Sequence, residues 1–253
     1  MNSSVPAPKT RLDELLVQRG LFASRSRARD AIARGAVLVG GTVTTKPGHT
    51  VRADAEIEVD DPAQKYVSRA ALKLIAGLDA FALDPSGKLA LDIGASTGGF
   101  TQVLLERGAS QVFAIDVGHG QLDERLASDP RVTSLEKTNA RDLTLEHVSG
   151  HRPGFVVSDV SFISLKLALP PALGLADDGA HCVLLVKPQF EAGREAIGKG
   201  GLLRRSEDGP RIAAELQNWL AVQPGWRSLG VVPSPIEGGD GNKEFLLAGV
   251  KDR

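Results

Sequence analysis

Apolar and polar positions follow two different rhythms along this chain, and the change falls near Asp60-Asp61-Pro62. Before it, Leu12, Leu15 and Leu16 recur at the spacing of one helix face, and Gly20 predicts the end of that helix. Ser24 predicts the N-cap of a second helix through Ala33, with Ala28, Ala31 and Ile32 on its apolar face and Gly35 just past it. Val37-Leu38-Val39, a turn at Gly40-Gly41, Val43, and Ile57 to Val59 read as short strands. A small α+β domain is therefore expected over residues 10–60, after a flexible N-terminus (1–9) and before a linker (61–65).

From residue 66 to 253 the rhythm is that of an α/β domain. Tyr66 to Leu78 predicts an amphipathic helix, and strand-like runs follow at Leu89 to Ile93, Gln111 to Ile115, Val132 to Leu135 and Phe155 to Val157. Three more lie at Cys182 to Val186, Gly230 to Val232 and Phe245 to Val250. Helix-length segments such as Gly99 to Arg107, Leu122 to Ala127 and Arg211 to Ala221 separate most of them. This alternation predicts a Rossmann-like fold with a seven-stranded, mostly parallel, doubly wound sheet, which binds ligands at the carboxyl ends of its strands. Gly193 to Arg205, rich in glycine and basic residues, reads as a mobile loop. No apolar run approaches the ~20 residues of a membrane span, and the polar, proline-interrupted start lacks a signal-peptide pattern. A cytoplasmic protein is expected.

Composition narrows this picture. Of 253 residues, 42% are hydrophobic and 24% charged, which suits a globular chain. The single cysteine, Cys182, can form no internal disulfide and fits a reducing compartment. Aromatics at 4% disfavour a base-stacking platform. A net charge of -1 argues against a nucleic-acid partner only if the charge is evenly spread. It is not: Arg19 to Arg34 carries five arginines and one acid, +4, which leaves -5 for the remainder. Helix, Arg-rich helix, Gly, Val-x-Val, Gly-Gly turn and Lys46-Pro47-Gly48 together resemble the small S-four-type RNA-binding module of a ribosomal protein and of pseudouridine synthases. Its candidate RNA contacts are Arg11, Arg25, Arg27, Arg29, Arg34 and Lys46.

The strongest chemical signal is Leu91-Asp92-Ile93-Gly94-Ala95-Ser96-Thr97-Gly98-Gly99-Phe100, a strand that passes through a small-residue loop into a helix. A phosphate-binding P-loop would need Gly-Lys-Ser/Thr here, and a dinucleotide site G-x-G-x-x-G; neither is present. The remaining pattern resembles the first motif of S-adenosylmethionine (SAM)-dependent methyltransferases, with Asp92 near the methionine ammonium and residues 94–100 packed along the ligand. Asp116 ends the next strand and is placed to accept both ribose hydroxyls, with Val117 beside it. Asn139-Ala140 stands where adenine is met, although Asn139 also reads as a turn or helix cap.

Asp159 and Lys187 end two further strands. Lys187 follows four apolar residues, an environment expected to lower its pKa toward that of a usable base, and Pro188 stops the strand behind it. Lys73 and Glu244 complete a set of four, and an antiparallel last strand would place Glu244 at the same edge. Each alone would pass for a surface ion pair; their joint placement suggests a site. The motifs Y-V-S-R-A-A-x-K-L, D-x-G-A-S-T-G-G-F-T, D-V-G-x-G-Q-L, D-x-S-F-I-S-L, V-K-P-Q-F-E and G-N-x-E together resemble the TlyA, or haemolysin A, family from about Arg11 to Val250. That resemblance implies an FtsJ-like SAM-dependent methyltransferase domain and 2′-O-methylation of cytidine in ribosomal RNA. It implies Lys73, Asp159, Lys187 and Glu244 as the catalytic set, Lys187 as proton acceptor, and Phe162 and Arg69 along the RNA path. Methyl transfer from a sulfonium calls for no metal, and the five histidines form no ligand cluster. Rival readings are a non-catalytic RNA-binding assembly factor, a pore-forming haemolysin and, more distantly, a nicotinamide dehydrogenase.

Overall fold

The computed structural model describes residues 7–252, so residues 1–6 of the expected flexible N-terminus lie outside it. The chain divides into two compact units, residues 1–64 and 65–253.

In the first unit, β1 (Lys9–Arg11) leads into α1 (Leu12–Gln18), which buries Leu12, Leu15 and Leu16. Gly20 follows in the left-handed region at φ 70° and ends the helix. α2 (Arg25–Ala33) begins where Ser24 Oγ accepts the Arg27 N–H at 3.3 Å. Its Ala28, Ala31 and Ile32 share one core with the α1 leucines, Val37 and Val51. β2 (Val37–Val39) lies between β3 (Thr42–Val43) and β5 (Ile57–Val59), while β4 (Thr50–Arg52) pairs with β1. The β1–β4 ribbon is absent from the expected pattern because Lys-Thr-Arg and Thr-Val-Arg offer one apolar residue between them. Residues 61–64, expected as linker, belong to this unit: Arg34 grips both carboxylate oxygens of Asp61 at 2.8 and 3.0 Å, and Ala63 is buried.

The second unit opens with a turn where a helix from Tyr66 was expected. The Ser68 hydroxyl accepts the Ala70 N–H and its carbonyl the Ala71 N–H, so α3 runs only over Ala71–Ala80. Then follow β6 (Leu89–Ile93), α4 (Gly99–Glu106), β7 (Gln111–Ile115), α5 (Glu124–Ala127), β8 (Val132–Leu135) and β9 (Phe155–Ser158). α6 (Leu165–Ala168), α7 (Pro170–Leu175), β10 (His181–Val186), α8 (Pro188–Glu191), α9 (Asp208–Ala221), β11 (Trp226–Pro233) and β12 (Phe245–Lys251) complete it. α5 is shorter than expected because the Asp123 carboxylate caps it. β11 is longer: Arg227 and Ser228 and a bulge at Ser228/Gly230 mask its first half in the sequence. The expected mobile loop, residues 193–205, is fastened by an Ile197–Leu203 bridge and by Asn242, which bonds Gly201 O and Leu203 N.

The sheet order is β11-β12-β10-β9-β6-β7-β8, with β10 through β8 parallel and β11 and β12 antiparallel to their neighbours. Strand order reverses between β6 and β9, which opens a crevice at their carboxyl ends. One core joins a sheet face to α6, α7 and α9, and the other joins the opposite face to α3 and α4. α3 sits close against the sheet because Gly77 has no side chain: a Cβ there would lie 2.7 Å from Val183 Cγ1. Gly77→Ala is expected to lower stability by about 1–3 kcal/mol, the cost of overpacking a filled core, as read by thermal melting.

Candidate active site

The loop from β6 into α4 folds back over the crevice. Gly94 takes φ 83° and passes so near the chain after β9 that a Cβ would meet Val160 N at 3.0 Å. Gly98, at φ 96°, turns away from the crevice toward Leu126, whose side chain occupies the space a Cβ would need. The crevice has a larger part of about 420 Å³ and a smaller one of about 140 Å³, which share Gly94, Ser96, Asp159 and Ser161 in their walls.

Asp116, Val117, Asn139 and Ala140 line the larger part. The Asp116 carboxylate accepts the Ser96 N–H at 2.8 Å through one oxygen and the Gly118 N–H at 2.7 Å through the other. It therefore ties the loop after β6 to the loop after β7. Asn139 does cap a short helical turn, with Oδ1 accepting the Arg141 N–H at 3.1 Å, and the same residue faces the cavity. Val117 (70% exposed) and Phe162 (90% exposed) stand at the rim. Phe162 is held at φ 67° with its ring centroid 5.1 Å from that of Phe190.

Ala95, Thr97, Gly99, Phe100 and Lys187 line the smaller part. Lys187 Nζ lies 2.7 Å from Asp159 Oδ1. Behind them Lys73, on α3, meets Glu244 at 2.5 Å, both side chains almost wholly buried. Glu244 reaches this edge because β12 runs antiparallel, with Phe245 opposite Val186. Burial raises the Glu244 pKa above the usual carboxylate range, and the charge of Lys73 offsets part of that rise. Lys73 and Glu244 thus stand behind the cavity wall.

Asp92 lines neither part of the crevice. Alternation along β6 sends Leu91 and Ile93 into one core and turns Asp92 toward α4, where it is fully buried. The Thr101 hydroxyl donates to its Oδ2 at 2.7 Å, and Oδ1 has no hydrogen-bond partner among the described residues. Burial pushes its pKa up to about 7. Lining residues that the sequence reading missed include Gln121, and Ser161, whose Oγ accepts from Lys187 Nζ at 2.7 Å. The signal for Ser161 was its position two residues past the strand-ending Asp159.

In the first unit the structure corrects the picture of an unneutralised arginine helix. Arg25 pairs with Asp13 and Glu14 at 3.1 Å each, and Arg11 with Asp13 at 3.0 Å, so two cations hold a buried carboxylate whose pKa they lower. Arg34 is bound to Asp30 and Asp61, and Arg27 reaches Ala63 O at 3.5 Å. Arg29 and Lys46 are exposed. Over residues 1–64, nine Lys+Arg stand against eight Asp+Glu, a balance of +1. In the second unit Arg69 is half-buried near Gly239.

The raised pKa of Asp92 has a definite sign. Its stabilising contribution is complete below the ordinary value of 3.8 and is lost as pH rises through about 7. Wild-type protein is expected to lose melting temperature relative to Asp92→Asn as pH is raised across that window. Parallel melting of the two proteins at every pH would show that Asp92 does not titrate there.

Comparison with known proteins agrees with this geometry. The FtsJ-like methyltransferase model matches residues 66–251 and the S4 domain model residues 10–57. TlyA of Mycobacterium tuberculosis, a 16S/23S rRNA (cytidine-2′-O)-methyltransferase, is 46% identical over 242 residues, covering 95% of this chain and 90% of its own. Hemolysin A of Brachyspira hyodysenteriae is 41% identical over 238 residues, 93% of this chain and 98% of its own. A solved structure from Streptococcus thermophilus, 41% identical, superposes with a TM-score of 0.74 over 97% of this chain and 89% of that one. The chain belongs to the TlyA family, with an S4 domain ahead of an FtsJ-like methyltransferase domain.

Proposed function

We propose that this protein is a SAM-dependent 2′-O-methyltransferase of cytidine ribose in ribosomal RNA, working in the cytoplasm. The observation that carries the reading is Lys187 Nζ, held against Asp159 where the two parts of the crevice meet. An assembly factor without catalysis would have no need of four charged side chains gathered at this one edge.

The donor set of the crevice fits SAM. Asp116 offers carboxylate oxygens for ribose hydroxyls, Val117, Asn139 and Ala140 surround an adenine-sized space, and the backbone of residues 94–100 passes close by. Bound there, SAM supplies a methyl group on a sulfonium, already activated for transfer. The chain's own task is to align and deprotonate a ribose 2′-hydroxyl, a poor nucleophile near neutral pH. Lys187 takes that proton. Asp159 orients the amine, and the buried Lys73–Glu244 pair sets the charge behind it without entering the cleft. Phe162 offers a ring face to an incoming nucleotide, and Arg69 with the exposed Arg29 and Lys46 meets phosphates.

Lys187→Ala is expected to cut transfer of labelled methyl from SAM to ribosomal RNA by about 10²–10⁴-fold, the usual contribution of a general base. Calorimetric SAM binding should persist in that variant; undiminished transfer would remove Lys187 from the role. Asp116→Ala should weaken SAM binding by at least about tenfold, as loss of hydrogen bonds to a charged acceptor does. Arg29→Glu with Lys46→Glu should weaken RNA binding, flatten its salt dependence and leave SAM affinity intact. Reversing Arg25 would be a poor test, since it also breaks the Asp13 cluster.

A further inference from the structure

Lys187 Nζ donates to Ser161 Oγ at 2.7 Å, whereas Asp159 Oδ1, also 2.7 Å away, meets it as an ion pair and has no hydrogen-bond partner among the described residues. We infer that Ser161 is a positioning residue for methyl transfer, because its hydroxyl supplies the aligned acceptor that Asp159 Oδ1 does not and so fixes the direction of the Lys187 amine beside the cleft. The inference rests on the reading of Lys187 as the base.

Ser161 is exposed and lines both parts of the crevice, so core packing does not explain a hydroxyl here. The separation of Ser161 from Lys187 is also fixed from outside the pair. Glu191, in the turn just after Lys187, accepts from Ser164 Oγ at 2.6 Å and from Leu165 N at 2.7 Å. The neighbouring Phe190 ring meets that of Phe162. The loop after β9 and the turn after β10 are thus fastened to each other by contacts on either side of the hydrogen bond.

The proton step follows from this arrangement. As the 2′-oxygen bonds to the methyl carbon, its O–H electron pair stays on oxygen and its proton passes to the Nζ lone pair, forming a third N–H. The carbon–sulfur bond breaks with its electrons on sulfur. The ammonium keeps its hydrogen bond to Ser161 and its ion pair with Asp159, so neither residue has to move during transfer, which is the advantage of preorganised groups.

Steady-state methylation of ribosomal RNA by the full-length chain tests this with Ser161→Ala, Ser161→Thr, Lys187→Ala and the Ser161→Ala/Lys187→Ala double variant. Ser161→Ala should lower kcat about 10- to 100-fold, part of a general base's usual contribution, with KM for SAM and RNA within about twofold. Ser161→Thr, which keeps the hydroxyl, should stay within about threefold of wild type, and the double variant should be no slower than Lys187→Ala. A wild-type kcat in Ser161→Ala, a change in KM alone, or equal losses in the Ala and Thr variants would overturn the inference while leaving Lys187 in place. Wild-type turnover by Lys187→Ala would instead overturn the reading of the base.

Discussion

A buried ammonium needs a carboxylate, and in this protein one such pair determines where two distant segments of chain must lie. Lys73 and Glu244 are 171 residues apart in sequence and meet with almost no exposure to water. Separating them would leave a charge uncompensated in the interior, which is costly. Helix α3 must therefore pack where it does, with Gly77 permitting its close approach, and the last strand must enter the sheet antiparallel. Once those two elements are fixed, β10 lies between β9 and β12, and Lys187 emerges beside Asp159. The pair at the cleft is in this sense built upon the pair behind it.

Strand ends were the most legible feature of the sequence. Asp116, Asp159 and Lys187 each follow an apolar run, and a parallel sheet brings such residues to one edge whatever the details of packing. Helix starts were less legible: the turn at Ser68 overrides the amphipathic pattern from Tyr66, because a side chain that bonds its own backbone competes with the helix. The burial of Asp92 was illegible for a related reason. Most of the residues that follow it in the motif line the crevice, but the pleat of β6 turns this one side chain toward α4, and a motif read as a string does not carry that alternation.

Charge was the feature that local reading distorted most. A window from Arg19 to Arg34 excludes Asp13 and Asp61, the partners that tertiary structure supplies to Arg25 and Arg34. Much of the apparent excess is thus internal scaffolding, and the cations left for an RNA are fewer and more scattered. Composition also averages over the chain, and 4% aromatics gives no hint that one exposed ring, Phe162, stands at the crevice rim.

The anchoring of Asp116 bears on ligand exchange. Its two oxygens already hold backbone amides from loops that follow different strands, so both loops are ordered by folding itself. In the proposed reaction, a nucleoside arriving at this carboxylate would meet acceptors whose conformational entropy was surrendered earlier, with little of its binding free energy diverted into ordering the site. Under the same proposal the departing product would gain equally: spent and fresh nucleosides would replace one another at a carboxylate already anchored by two backbone amides.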